Sequence, residues 1–316
     1  MTFLGARVPS DAMALEHRLF VLALHLALGA CTPSADTKPR PAEKREEASA
    51  PPPYDLAADR ARIVAAARDD LGDVTVDTAA DIYVLIGTSG VDAGALAANW
   101  DLAKRAIDAY LNGRFDTKPT RAVGVIVFED DARYQAYCRA HLHSACESPT
   151  GIYHPDVRLI VINTRPRLGT LTHEIVHPLV EADFPRAPLW FNEGIASLFE
   201  APVIPKKGEI HGVKNWRLPR LLSAMRSQKE NYFARLDTLF GMTDDAFRDH
   251  HLEKLHYATA RFVCQWLDSR DWLWPFYHGW RDDFANDATG AKTFERVTGM
   301  SPAAANAPWT AWVHTL

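Results

Sequence analysis

The sequence predicts an α+β protein, with a small sheet in the first half of the folded chain and a mainly helical second half. Short β-branched runs bounded by Gly, Pro or Asp fall within residues 54–165. Stretches with apolar residues at helical spacing fill most of residues 166–316. Strands and helices are thus segregated, which argues against an alternating βαβ sheet. The composition, 47% hydrophobic and 24% charged, is that of a globular chain with a substantial core.

Residues 1–31 read as a leader. The apolar run at 19–28 follows Arg18 and is interrupted only by His25. It is shorter than the roughly 20 residues that span a bilayer, and has the length of a signal-peptide core. Met13, which opens a compact charged lead, is an alternative start. The run ends in Leu28-Gly29-Ala30-Cys31. That resembles a bacterial lipobox, in which a Cys after small residues is lipidated and becomes the mature N-terminus. The competing reading is a plain signal peptide with an incidental Cys31. Residues 32–53 repeat Pro, Ala, Lys and Glu and cannot bury enough surface to offset chain entropy, so they read as a disordered tether. The expectation is an exported protein of the bacterial cell envelope, held to a membrane by lipid.

Within residues 54–316, helices are expected at 56–71, 93–111 and 131–141, the second stopping before Asn112-Gly113. Strands are expected at 81–87, 121–128, 151–154 and 157–163, the last two joined by a turn at Pro155-Asp156. Later helices are expected at 168–182, 189–200, 217–227 and 253–268. The C-terminal Trp residues, such as Trp266 and Trp280, suit packing between them. Cys138 and Cys146 are the plausible disulfide pair, and Cys264 reads as a small buried hydrophobe. The net charge of −5, without a long basic run, speaks against nucleic acid as a partner. Lys206-Lys207, beside Pro205 and Gly208, reads as a solvated loop.

The segment that carries chemistry is His173-Glu174-Ile175-Val176-His177. On a helix, residues four apart share a face, so His173 and His177 can grip one Zn²⁺. Glu174 is rotated beside them and can work as a base without ligating. With 13 His and 14 Glu in the chain, chance supplies about 0.02 such matches. Apolar Ile175, Val176, Leu179 and Val180 bury this helix, and buried imidazoles need partners. Pro178 is expected to kink it. Pro185 and Pro188 then break the chain, and a helical hairpin brings 189–200 back beside the motif.

That hairpin, with Asn192-Glu193-Gly194 on its second helix, resembles the gluzincin zinc metallopeptidases, the thermolysin-like group, over residues 159–200. The resemblance implies a zincin-like fold, a mixed sheet with an edge strand over the active-site helix. It implies Zn²⁺ held by His173, His177 and Glu193, with Glu174 as the catalytic base for peptide-bond hydrolysis. Glu200 is the rival ligand, seven residues after Glu193; Glu193 is preferred because Gly194 beside it leaves the site unobstructed. Glu181 and His211 are outside alternatives. The resemblance also implies an edge strand that binds an extended peptide, for which 157–163 is in place. A later Tyr or His should steady the oxyanion: Tyr257, with His256 as the substitute. Ser197 stands where thermolysin has an acidic residue that orients a ligating His, and Asn192 is the alternative for that role. The competing readings are an inactive zinc-binding or scaffold lipoprotein that holds peptides in the groove, and a metal-free lipoprotein with an accidental motif.

Overall fold

In the first half, Asp side chains start the helices. Asp55, Asp92 and Asp130 each accept a backbone N–H from the first turn of α1 (Leu56–Leu71), α2 (Ala93–Tyr110) and α3 (Asp131–His141). Such caps contribute about 1 kcal/mol each. The computed structural model describes residues 53–142, 146, 148–165 and 170–316. The leader, Cys31 and the tether up to residue 52 lie outside the described residues. Among those described, no helix is long and apolar enough to cross a membrane.

Five strands form one mixed sheet: β1 (Val74–Ala79), β2 (Tyr83–Thr88), β3 (Val123–Phe128), β4 (Gly151–His154) and β5 (Leu159–Asn163), ordered β1-β2-β3-β5-β4. β2, β3 and β5 run parallel, and the two outer strands pair antiparallel to them. The central strands are buried on both faces, which explains their unbroken apolar runs. Val84, Ile86 and Ile126 face α1 and α3; Tyr83, Leu85 and Val125 face α2 and the helical half. The protein is α+β, but α2 and α3 do link parallel strands, so the alternation that the sequence reading set aside exists inside the first half.

Two strand assignments need correction. β1 was not anticipated. Its turn into β2 carries Ala80 (φ 50°) and Asp81 (φ 60°), both left-handed, without the Asn-Gly signal that usually marks such turns. Arg60 holds the turn by donating to the Asp81 carbonyl at 3.0 Å. The expected edge strand, 157–163, is also misplaced: β5 is internal, between β3 and β4, and β4 forms the edge. The sequence does carry that distinction. Leu-Ile-Val-Ile is the continuous run of a covered strand, whereas Gly-Ile-Tyr-His is the half-buried pattern of an edge.

The helical half contains α4 (Thr170–Glu174), α5 (Val176–Asp183), α6 (Leu189–Leu198), a ribbon of β6 (Pro202–Val203) and β7 (His211–Gly212), α7 (Leu218–Arg226), α8 (Leu236–Phe240), α9 (Asp244–Phe247), α10 (Glu253–Asp268), α11 (Leu273–Asp283), α12 (Ala291–Thr298) and α13 (Pro302–Val313). Trp190, Trp266, Trp280 and Trp309 are fully buried among them. Cys138 on α3 is bonded to Cys146, Cα atoms 5.5 Å apart, and Cys264 is free and buried on α10.

α6 lies directly on α10. Gly194 makes that approach possible: a Cβ there would sit 2.9 Å from Cys264 Sγ and 3.0 Å from the Ala260 carbonyl oxygen. Gly194 thus faces α10, contrary to the expectation that it clears space beside Glu193. Gly194→Ala should destabilise the protein by about 1–3 kcal/mol through overpacking. A denaturant midpoint equal to wild type would show that the two helices can part without cost.

Candidate metal centre

The expected helix 168–182, whose first two residues lie outside the described ones, is interrupted at Ile175. Pro178 has no N–H for the Glu174 carbonyl four residues back, and its ring crowds that carbonyl. The break falls where the missing bond would be. Buried tyrosines of β2 and α2 steady the segment: Tyr83 donates to the Ile175 carbonyl at 3.2 Å and Tyr110 to the Thr172 carbonyl at 3.1 Å. Thr172 Oγ1 donates to the Phe199 carbonyl at 2.7 Å, tying α4 to the end of α6. Asp244 on α9 caps α6 from outside, accepting the Leu189 N–H at 3.0 Å. This bracing brings two helices of the hairpin to one point.

At that point His173, His177 and Glu193 each offer a ligand atom, and all three lie within 4.8 Å of one another. Glu193 Oε2 is 3.4 Å from His173 Nε2 and 4.0 Å from His177 Nε2. It is buried and has no hydrogen-bond partner. An orphaned carboxylate oxygen facing two imidazole nitrogens is costly unless a cation completes it. Two His and one Glu are also a donor set that catalytic zinc uses. The residues therefore fit a divalent metal ion.

The surrounding groups fix each ligand. Asn192 Oδ1 is 3.0 Å from His177 Nδ1, which places the ring proton there and leaves Nε2 for the metal. Glu200 Oε1 is 3.5 Å from His173 Nδ1, an ion-pair distance without hydrogen-bond alignment. So Glu200 faces the opposite side of His173 from the metal position and is not a ligand. Ser197 is buried with its hydroxyl unpartnered, and orients neither imidazole. Glu181 accepts from the Tyr153 hydroxyl at 2.6 Å, and His211 pairs with Glu209 and Asp268. Neither reaches the centre.

Glu174 Oε2 lies 3.8 Å from His177 Nε2, beside the ligand cluster. Burial pushes its carboxyl up, partly offset by His173 and His177, and it accepts the Tyr153 backbone N–H. Burial pushes Glu193 up as well, yet the charge of His177 and His173 and the nearby Tyr257 hydroxyl bring it down to about 2. For His173, burial pulls downward, but Glu193 and Glu200 outweigh it and raise the imidazole to about 10. Tyr257 lies against Glu193, and burial together with that charge raises its hydroxyl. His256 is turned away: it is buried, with Nδ1 3.0 Å from the Phe247 carbonyl oxygen.

The centre opens into a cleft of about 780 Å³, walled by β4 on one side and by Trp216, Arg217 and Tyr257 on the other. Tyr153 of β4 stacks on the His177 ring, 12° from parallel with centroids 6.5 Å apart. Sequence reasoning passed over Tyr153, Asn215 and Arg217. The edge pattern of β4 marks Tyr153, whereas nothing local distinguishes Asn215 or Arg217.

No known family model matches the sequence, and no curated protein matches it closely enough to count as a relative.

The charges set a pH dependence for the metal-free protein. His173 stabilises the fold fully below its ordinary 6.5, and that contribution is lost as pH rises through about 10. Glu193 does the reverse: its contribution is complete above 4.5 and lost as pH falls through about 2. Chelator-treated protein should therefore lose stability between about pH 6 and about pH 10. His173→Ala should flatten that part of the profile, and an equal slope in both proteins would rule out the ion pair.

Proposed function

We propose that the chain is a zinc-dependent hydrolase that cuts peptide bonds in extended substrates, at the bacterial cell envelope. One observation carries this reading. The buried, unpartnered Glu193 Oε2 faces both histidine Nε2 atoms, with the non-ligating Glu174 beside them in an open cleft. A structural zinc usually takes four protein ligands and has no use for such a neighbour. The gluzincin resemblance of the sequence points the same way.

A bound Zn²⁺ would supply Lewis acidity that polarises the scissile carbonyl and acidifies water. The chain's own groups do the rest. Glu174, its carboxyl raised by burial, takes the proton of the attacking water and hands it to the leaving amine. The Tyr257 hydroxyl, kept protonated, donates to the developing oxyanion. Asn192 holds His177 in the tautomer that keeps Nε2 free. β4 offers the outer edge of the sheet. The Asn163 N–H donates to the Thr150 carbonyl, so residues 152 and 154 pair inward with β5, and alternation turns the carbonyls of Gly151 and Tyr153 outward, where an extended peptide can donate to them.

Glu174→Gln should keep one equivalent of zinc and lose peptide hydrolysis by at least about 100-fold. Metal analysis beside digestion of an unfolded protein checks both halves. Zinc-loaded wild type that binds such peptides without cutting them would favour the inactive, peptide-holding alternative. Envelope anchoring rests on the sequence alone. Cys31→Ala should shift the protein from the membrane fraction to the soluble fraction and abolish labelling by a fatty-acid probe; unchanged partition and labelling would remove the anchor.

A further inference from the structure

We infer that Arg217 is a positioning residue that serves both halves of the catalytic centre at once, through Glu200 to His173 and through its own face to Tyr257. The inference rests on the zinc-hydrolase reading and adds to it a residue outside the helical hairpin.

Arg217 precedes α7. Its Nε and Nη2 donate to the two oxygens of Glu200 at 2.8 and 2.5 Å, a bidentate fork. Asn215 adds a bond from Nδ2 to Glu200 Oε2 at 3.0 Å, while its Oδ1 accepts the Arg217 N–H at 3.1 Å. The Asn215–Arg217 turn is thus closed on itself and on the carboxylate. Glu200 is 6% exposed at its side chain, and the same Oε1 that takes the fork faces His173 Nδ1. The carboxylate lies 3.5 Å behind the imidazole, and its charge makes the ring's other nitrogen a better donor to a metal ion. Here the carboxylate is itself fixed by a residue whose planar fork allows one orientation.

The guanidinium has a second contact. Its carbon lies 5.0 Å from the centroid of the Tyr257 ring, in cation–π range. Arg217 therefore holds the ring from one side while Glu193 engages the hydroxyl. The turn is anchored in turn by Arg261, fully buried on α10, which donates to the Val213 carbonyl. Displacing Arg217 would loosen a metal ligand and the oxyanion donor together.

The test uses the whole chain and reads zinc affinity by competition with a chromophoric chelator, next to kcat, KM and unfolding of the metal-free protein. Arg217→Met should weaken zinc binding about 10- to 100-fold. It should also lower kcat more than Glu200→Gln does, because only the former frees Tyr257. Arg217→Lys should recover part of the zinc affinity, since it keeps the charge and loses the fork. Glu200→Gln should weaken zinc by about 10-fold, and the double variant should be no worse for zinc than Arg217→Met alone, because both act through one relay. Folded Arg217→Met or Glu200→Gln protein that binds zinc as tightly as wild type overturns the inference. So does a fall in metal-free unfolding midpoint with zinc affinity unmoved. Zinc affinities that change as stated in a protein that cleaves nothing would instead overturn the hydrolase reading and leave the relay standing.

Discussion

The centre depends on how closely α6 approaches α10. α6 brings Asn192 and Glu193, and α10 brings Tyr257; only with a glycine at the crossing can the two reach the same few ångströms. Aromatic packing fixes that distance from behind. Trp190 and Phe191 of α6 meet Phe240, Phe276 and Trp280, with ring centroids between 5.0 and 5.8 Å. Such pairs contribute about 0.5–1.5 kcal/mol each beyond their buried area. The apolar half of the molecule thus sets the geometry, and the ionisable groups are carried into place by it.

Those ionisable groups strain against the environment that holds them. Glu174, Glu193 and Glu200 are buried close together, with two imidazoles and Arg217 among them. Buried charge is tolerated when it is paired, and removing one partner leaves another exposed to the apolar surroundings. Arg217 neutralises Glu200, Asn192 satisfies one side of His177, and Glu174 takes a backbone N–H from β4. Glu193 has one oxygen, Oε2, without a hydrogen bond, and it faces the Nε2 atoms of both imidazoles.

Much of the architecture was legible because the signals were local. α1, α3, β4 and α10 match their expected limits, and their starts coincide with Asp caps, turn residues or the onset of apolar spacing. The histidines of the candidate metal centre were legible for the same reason, since helical spacing converts sequence distance into direction. What failed was non-local. The parallel pairing of β2, β3 and β5 depends on crossovers that no short pattern encodes. β1 was hidden because Ala80 and Asp81 adopt a turn that usually advertises itself with glycine or asparagine. Glu200 drew notice as a rival ligand from its place on the helix. Its actual neighbour on the far side, Arg217, arrives after the β6–β7 ribbon and left no trace in the motif.

The open flank of β4 has a cost of its own. A sheet edge that can accept a peptide can equally accept the same strand from another molecule, and begin a fibre. Here the flank is four residues long, with Pro149 shortly before it and Pro155 directly after. Proline has no N–H to donate to a ladder of backbone hydrogen bonds. A stretch of four residues is too short to template stacking between copies.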